Sequence, residues 1–403
     1  MIVRGAPFRA HPALQGMALP LRRPRRSGKV YIPAWPGLGA ELFAPKRHLA
    51  DLPYPLSSPG GIYFHRAGSA IYHLFRALRL GPGAKVLVPD YHSGNEIGAL
   101  REAGARLVFY RVDRRLEADL DQIDALSRDA RVLFVIHYLG WPQPMREIVS
   151  LCEERGLFLI EDCALSFLSR LGTTPLGEFG DFSIFCLYKT LAVPNGGVLV
   201  QNSMMLEGVD TVARESGGAS VVAGRTAELL LNRIRSRVEG LGRMLDLAKR
   251  GAGRLVRKLP LRRAAVGDMR FAREDACVRM SRLSWMLLKR FDYEAIVRRR
   301  RENYLRLGRR LQGRVLLLRG DLPSGVCPLF FPVLVPDKRA TARALWRRGI
   351  EAVEFWNQGD PLGALAEGRD ARYLRRHVLE LPIHQDVTPA GVDHMAEQLL
   401  AVA

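Results

Sequence analysis

The sequence predicts an α/β fold: a large domain with a mainly parallel sheet between helices, followed by a smaller C-terminal α+β domain. Three observations predict it. Short apolar runs recur at Val86-Leu-Val88, Leu107-Val-Phe-Tyr110, Val132-Leu-Phe-Val-Ile136, Leu157 to Ile160 and Val198-Leu-Val200. Stretches of helical spacing near 95–103, 120–126 and 144–155 separate most of them. Past about residue 205 this alternation gives way to long basic helical segments, and from about Arg314 to shorter strands and helices. Short apolar strands alternating with helices imply a mainly parallel sheet covered on both faces.

Taken in order, residues 1–58 are rich in Pro, Gly and Arg with little periodicity, and read as an N-terminal extension that wraps a neighbour or is partly mobile. The large domain follows over 59–290. Its first helix is expected over Ser69 to Leu80, where Ile71, Leu74, Phe75 and Leu78 share one face, and Gly81-Pro-Gly83 stops it. A basic helical insertion occupies about 225–263. The C-terminal domain spans 291–403 and closes with a helix near Val392 to Val402.

The 403 residues, 48% of them hydrophobic, suffice for one large core and a smaller one. Apolar runs fall short of a membrane span, and Met1 to Lys29 lacks the apolar block of a secretory signal, so the expected location is cytoplasmic. Five scattered cysteines show no paired spacing, which argues against a disulfide framework and against a metal site. The net charge of +20 favours anionic partners. It is spread over Arg22 to Arg26, Arg233 to Arg263 and Arg298 to Arg310, without zinc-finger, RNP-like or helix-turn-helix patterns, so nucleic acid is not the expected partner.

Lysine is scarce in this arginine-rich chain, which makes Lys189 informative. It ends the largely apolar run Asp181-Phe-Ser-Ile-Phe-Cys-Leu-Tyr-Lys189, just before Gly196-Gly197. Burial disfavours an ammonium and frees a neutral amine to condense with an aldehyde, which is Schiff-base chemistry. Upstream, Phe158-Leu-Ile160-Glu161-Asp162 is an apolar strand ending on a carboxylate, at the strand end where ligands of open α/β sheets gather. A carboxylate there can keep the ring nitrogen of pyridoxal phosphate (PLP) protonated, so that the ring accepts electrons. Gly68-Ser69-Ala70 opens a helix whose free N–H groups and hydroxyl suit a phosphate.

Further pieces occur in a fixed order. They are Arg66-Ala-Gly68-Ser69-Ala70, Gly81 to Pro89, Val135-Ile-His137-Tyr-Leu-Gly140, Leu159-Ile-Glu-Asp162-Cys-Ala164, Lys189 with Gly196-Gly197, Val278-Arg279-Met280-Ser281 and Leu381-Pro-Ile-His384-Gln385. Together they resemble the DegT/StrS group of PLP-dependent fold-type I aminotransferases. The resemblance implies a fold-type I PLP-transferase, with PLP held by Lys189 and its ring nitrogen by Asp162. It implies a cofactor pocket built from Gly68, Ser69 and Ala164, a ring-stacking residue at Tyr91 or His92, and Ser183 or Cys186 near the phosphate. His137, Arg279 and His384 are the candidates for the substrate side. The implied reaction moves an amino group from an amino-acid donor, glutamate in the family, to a keto-sugar carried on a nucleotide, in a homodimer.

Three departures bear on the substrate. Leu165 stands where the family has a glutamine near the cofactor's phenolic oxygen, and Cys277 where it often has an asparagine reaching across the dimer. The third is the insertion itself, where Leu230, Ile234, Val238, Leu241 and Leu245 interleave with Arg233, Arg235, Arg237 and Arg243. Such a segment packs on its own domain or lies peripherally on an anionic membrane. Two alternatives therefore stand beside the sugar aminotransferase: a PLP enzyme of this fold acting on a non-sugar or lipid-linked ketone, and a non-catalytic binding protein.

Overall fold

The computed structural model describes residues 30–44, 51–81, 83–213, 215–237, 271–357, 359 and 367–402. The chain begins its regular structure with β1 (Gly61–Phe64), α1 (Ala67–Ala77), β2 (Lys85–Pro89), α2 (Asn95–Glu102) and β3 (Arg106–Tyr110). It continues through α3 (Leu120–Leu126), β4 (Ala130–Ile136), α4 (Met145–Arg155), β5 (Phe158–Asp162) and the short hairpin β6 (Arg170–Leu171) and β7 (Thr174–Pro175). Next come β8 (Phe182–Cys186), β9 (Gly197–Gln201), β10 (Glu215–Ser216), α5 (Ala219–Arg237), β11 (Val278–Arg279) and α6 (Arg282–Leu288). The last third holds α7 (Tyr293–Leu311), β12 (Leu316–Leu317), β13 (Phe330–Leu334), α8 (Lys338–Arg347), α9 (Arg369–His377), β14 (Val378–Pro382) and α10 (Pro389–Leu400).

Among the described residues nine strands form one sheet in the order β10-β11-β1-β9-β8-β5-β4-β2-β3. The block β3-β2-β4-β5-β8 is parallel throughout, so the carboxyl ends of its strands share one edge. β9 then runs antiparallel between β8 and β1. Apart from the edge strand β3, the parallel strands are buried along nearly their whole length, which is why they read as continuous apolar runs. β8 was not among the strands read from the sequence; Ser183 and Cys186 interrupt its apolar character, yet all five of its residues are buried. A second sheet, β12-β13-β14, is antiparallel. One apolar cluster runs from Phe64 in β1 to Leu399 in α10, so the two sheets share a core.

The first helix starts two residues earlier than its apolar spacing suggests and ends at Ala77. Arg79, with φ of 47°, turns the chain before Gly81 is reached. The part of the N-terminal extension that is described lies on its own chain. Ile32 pairs with Ile350, Tyr31 Oη donates to Glu351 at 2.6 Å, and Leu38 N–H donates to Leu229 O at 2.9 Å.

Of the insertion, 225–237 belongs to α5 and 238–263 lies outside the described residues. Arg225 and Arg235 are buried, and Arg233 pairs with Glu41 and Asp386, whereas Leu230, Leu231 and Ile234 are exposed. Arg225, Arg233 and Arg235 hold this part of the segment to the protein, while Leu229 is buried and Leu230, Leu231 and Ile234 face outward. Among the described residues no helix is long and apolar enough to cross a membrane.

The last third of the chain is tied to the sheet by Arg300 on α7, which is 1% exposed. Its guanidinium donates to Gln385 Oε1 at 3.0 Å, Pro328 O at 3.3 Å, Leu329 O at 3.0 Å and Thr190 O at 3.1 Å. Removing it leaves several buried acceptors without a donor, each costing about 1–3 kcal/mol. Arg300→Met is therefore expected to lower the unfolding free energy by at least about 3 kcal/mol in urea denaturation. A change near zero contradicts the tie.

Candidate active site

At the carboxyl edge of the parallel block, β8 runs into a single 3-10 turn, Leu187–Lys189, that lifts the lysine out of the sheet. Lys189 is partly exposed into a cleft that it shares with Asp162, the last residue of the neighbouring β5. The competing lysines are elsewhere: Lys85 pairs with Asp129 at 2.8 Å on the surface, and Lys289 lies over the Trp285 ring.

Gly196 and Gly197 explain why this turn sits beside α1. A Cβ on Gly197 would lie 2.2 Å from the Arg66 carbonyl carbon, so β9 can approach the start of α1 only with glycine there. Gly196, at φ of 149°, links the two sides: its N–H donates to His65 O at 3.1 Å and its carbonyl accepts from Leu187 N–H at 2.8 Å. The start of α1 thereby faces the cleft, with Arg66 and Ala67 lining it. Arg66 occupies the N-cap position in extended conformation without a side-chain cap, leaving the first N–H groups of the helix available to an anion. The Ser69 hydroxyl donates instead to Asp275 O at 3.3 Å, and Gly68 faces Asn95 and Phe271.

Electrostatics in the cleft centre on two carboxylates. Burial pushes the Asp162 carboxyl up to about 7, and the Glu96 charge adds to the rise, while the Ala164 N–H at 2.8 Å and the Lys189 charge oppose it. Glu96 reaches back to Ser93 N–H at 2.7 Å and also accepts from the Ser93 hydroxyl, bracing the turn into α2. Ser93, Asn95 and Glu96 all line the cleft. The reading of the sequence missed them, although Ser93-x-x-Glu96 carries the capping-box signature.

Ala164, Cys186 and Leu165 also line the cleft. Ser183 does not, and strand parity is the reason. Side chains alternate across β8, so Ser183 points to the face opposite Cys186, where its hydroxyl lies 2.9 Å from Tyr54 Oη. Neither Tyr91 nor His92 is among the lining residues. Tyr91 packs edge-on against Trp356 at 4.8 Å, and His92 lies against Phe109, its imidazole lowered to about 3 by burial and by the Arg375 and Arg101 charges.

The three substrate-side candidates also fall outside the cleft lining. His137 is fully buried: its Nδ1 accepts from Gln143 N–H at 3.1 Å, which leaves Nε2–H to donate to Glu161 at 2.9 Å. Glu161 in turn accepts from the N–H groups of Gly177, Phe179 and Gly180 at 2.9, 2.8 and 2.6 Å. This network anchors the segment after the β6–β7 hairpin. His384 spans from Asp386 N–H at 3.3 Å to Pro33 O at 2.9 Å and pins the N-terminal segment. Arg279 is exposed at the sheet edge, where it donates to Ser216 Oγ at 3.0 Å.

The α/β sheet thus brings an amine, just past the end of β8, and a buried carboxyl, at the end of the adjacent parallel β5, to one cleft facing an uncapped helix start. Residues 60–229 match the model of the DegT/DnrJ/EryC1/StrS aminotransferase family. It is 32% identical over 176 residues to a dTDP-4-dehydro-2,3,6-trideoxy-D-glucose 4-aminotransferase of Saccharopolyspora spinosa, covering 42% of this chain and 45% of that protein. It is also 32% identical over 146 residues to a GDP-perosamine synthase of Escherichia coli O157:H7, covering 34% of this chain and 40% of that protein. The chain thus spans less than half the length of these curated relatives. Among solved structures, Helicobacter pylori PseC, an aminotransferase involved in pseudoaminic acid biosynthesis, aligns with a TM-score of 0.65 over 93% of this chain and 99% of that one, at 15% identity. That likeness shows the fold.

The raised Asp162 carboxyl predicts a pH effect in the cofactor-free protein. Between its ordinary value of 3.8 and about 7, the folded state holds a proton that the unfolded chain has released, so stability falls as pH rises through this window. Asp162→Asn, which keeps an oxygen for the Ala164 N–H, is expected to be more stable than the wild type at pH 7 by up to roughly 4 kcal/mol. The difference should vanish near pH 4. Thermal melting of both proteins across this range checks it, and a pH-independent difference contradicts it.

Proposed function

We propose that the protein is a PLP-dependent aminotransferase that transfers an amino group from an amino-acid donor, glutamate by family resemblance, to a keto-sugar carried on a nucleotide. The observation that carries this reading is the shared cleft of Lys189, Asp162 and the uncapped start of α1. Support also comes from the two relatives that are 32% identical, one named as an aminotransferase of a dTDP-linked dehydro-sugar and the other as a GDP-perosamine synthase.

The residues fit PLP in the chemistry of their donor set. Lys189 offers an amine to the aldehyde, Asp162 a carboxyl to the ring nitrogen, and the first N–H groups of α1 with Arg66 a cationic seat for the phosphate. When bound, PLP supplies an electron-accepting ring that stabilises negative charge on a substrate carbon. Asp162, whose carboxyl burial raises to about 7, would share a proton with the ring nitrogen and hold it there. Lys189, at the end of a short turn, would be the group placed to carry a proton between a substrate carbon and the cofactor. Leu165 places a hydrocarbon where the family has a glutamine, so this chain lacks that donor to the cofactor's phenolic oxygen.

Two variants test the assignment. After incubation with PLP, borohydride reduction should fix the cofactor to the peptide carrying Lys189, as read by mass spectrometry. Lys189→Ala should stay folded, show no fixed adduct, and lose roughly a hundredfold or more in transamination rate. Turnover at the wild-type rate by Lys189→Ala removes the assignment.

A further inference from the structure

The cleft has an aromatic wall that comes from the last third of the chain. Phe355 and Trp356 line it, 3% and 5% exposed, and the Phe355 ring centroid is 5.9 Å from Lys189 Nζ. They are close in space to the Asp90 to Glu96 loop but about 260 residues away in sequence, which is why no local pattern announced them.

Three buried charged side chains hold this pair in place. Lys338 Nζ donates to Phe355 O at 2.6 Å, and Phe355 N–H donates to Glu380 Oε2 at 3.2 Å. Arg375 donates to Trp356 O at 2.8 Å and, through the same nitrogen, to His92 O at 2.9 Å. Its Nε is paired with Glu367 at 2.7 Å, and the guanidinium sits 5.4 Å from the Tyr91 ring centroid. Arg375 therefore fastens the aromatic wall to the loop that carries Ser93, Asn95 and Glu96 into the same cleft. Trp356 is held at φ of 54°, a left-handed conformation disfavoured for a bulky side chain and kept only where surrounding contacts enforce it. Behind the pair, Trp35 from the N-terminal segment packs on Phe355 at 6.0 Å and on Phe330 at 5.1 Å.

We propose that Phe355 and Trp356 are the aromatic surface against which the cofactor ring rests, and that Arg375 is the positioning residue joining this surface to the Asp90 to Glu96 loop. The proposal rests on the PLP reading. Neither Tyr91 nor His92 reaches the cleft, so the ring-covering task falls to a segment that arrives from the far end of the chain. Tyr91 serves as backing for Trp356 instead. Cofactor capture then depends on the seating of the last third of the chain on the sheet, because the wall and its three anchors all belong to it.

The test uses the full chain, freed of cofactor and titrated with PLP, with affinity and the visible circular dichroism of the bound cofactor as readouts. Trp356→Leu and Phe355→Leu are each expected to weaken PLP by roughly three- to tenfold. They should diminish the dichroism while borohydride still fixes PLP to Lys189. Arg375→Gln should do the same, because the wall loses its fastening, whereas Trp356→Phe should keep both readouts. Wild-type affinity and dichroism in both leucine variants overturn the wall and leave the PLP reading intact. If borohydride fixes nothing to Lys189 in the wild type, the PLP reading falls and the wall with it. Should a leucine variant fail to fold, tryptophan emission decides: PLP must quench less emission in Trp356→Phe than in the wild type, and equal quenching overturns the proposal.

Discussion

The cleft depends on one close approach of backbone to backbone, between Gly197 in β9 and the Arg66 carbonyl at the start of α1. No side chain fits between them. Because β9 is antiparallel to both β1 and β8, this contact sets where the helix begins relative to the turn that carries Lys189. Gly196 reinforces it by bonding to His65 on one side and Leu187 on the other. An anion seat and an amine are brought to the same edge by hydrogen bonds and sterics of the main chain, leaving the side chains free for chemistry.

Charge is handled differently inside and outside the cleft. Burial, with the nearby Glu96 charge adding to it, raises the Asp162 carboxyl. Burial lowers three histidines in the same way, His65 and His384 to about 4 and His92 to about 3. Glu161 shows the opposite solution, four hydrogen-bond donors gathered around a single carboxylate. Such a group is a joint in the scaffold, and its neighbour in sequence, Asp162, is the one with unspent capacity for a ligand.

Arginine does much of the long-range fastening. Arg300 ties α7 to the carbonyl after Lys189, Arg375 ties the aromatic wall to the loop after β2, and Arg233 ties α5 to Glu41 and Asp386. A guanidinium suits this work because its five donors can serve several carbonyls at once and it retains its charge when buried. Part of the +20 charge is therefore structural, as at the buried Arg225 and Arg235 of α5.

The sequence by itself determined the parallel strands β2, β3, β4 and β5, the helices between them, and the pairing of Lys189 with Asp162. Those features are local: an apolar run buried on both faces shows in five consecutive residues, and each chemically distinctive residue lies at the end of such a run. Tertiary structure decided what fills the rest of the cleft. Parity along β8 sent Ser183 to the opposite face, hydrogen bonding drew His137 and His384 into the scaffold, and the turn after β2 passed Tyr91 and His92 by and presented Ser93 and Glu96. Phe355 and Trp356 arrived from a turn after α8, in the last third of the chain. Side-chain direction in a loop and contact across hundreds of residues are set by packing, and a one-dimensional pattern holds no record of either.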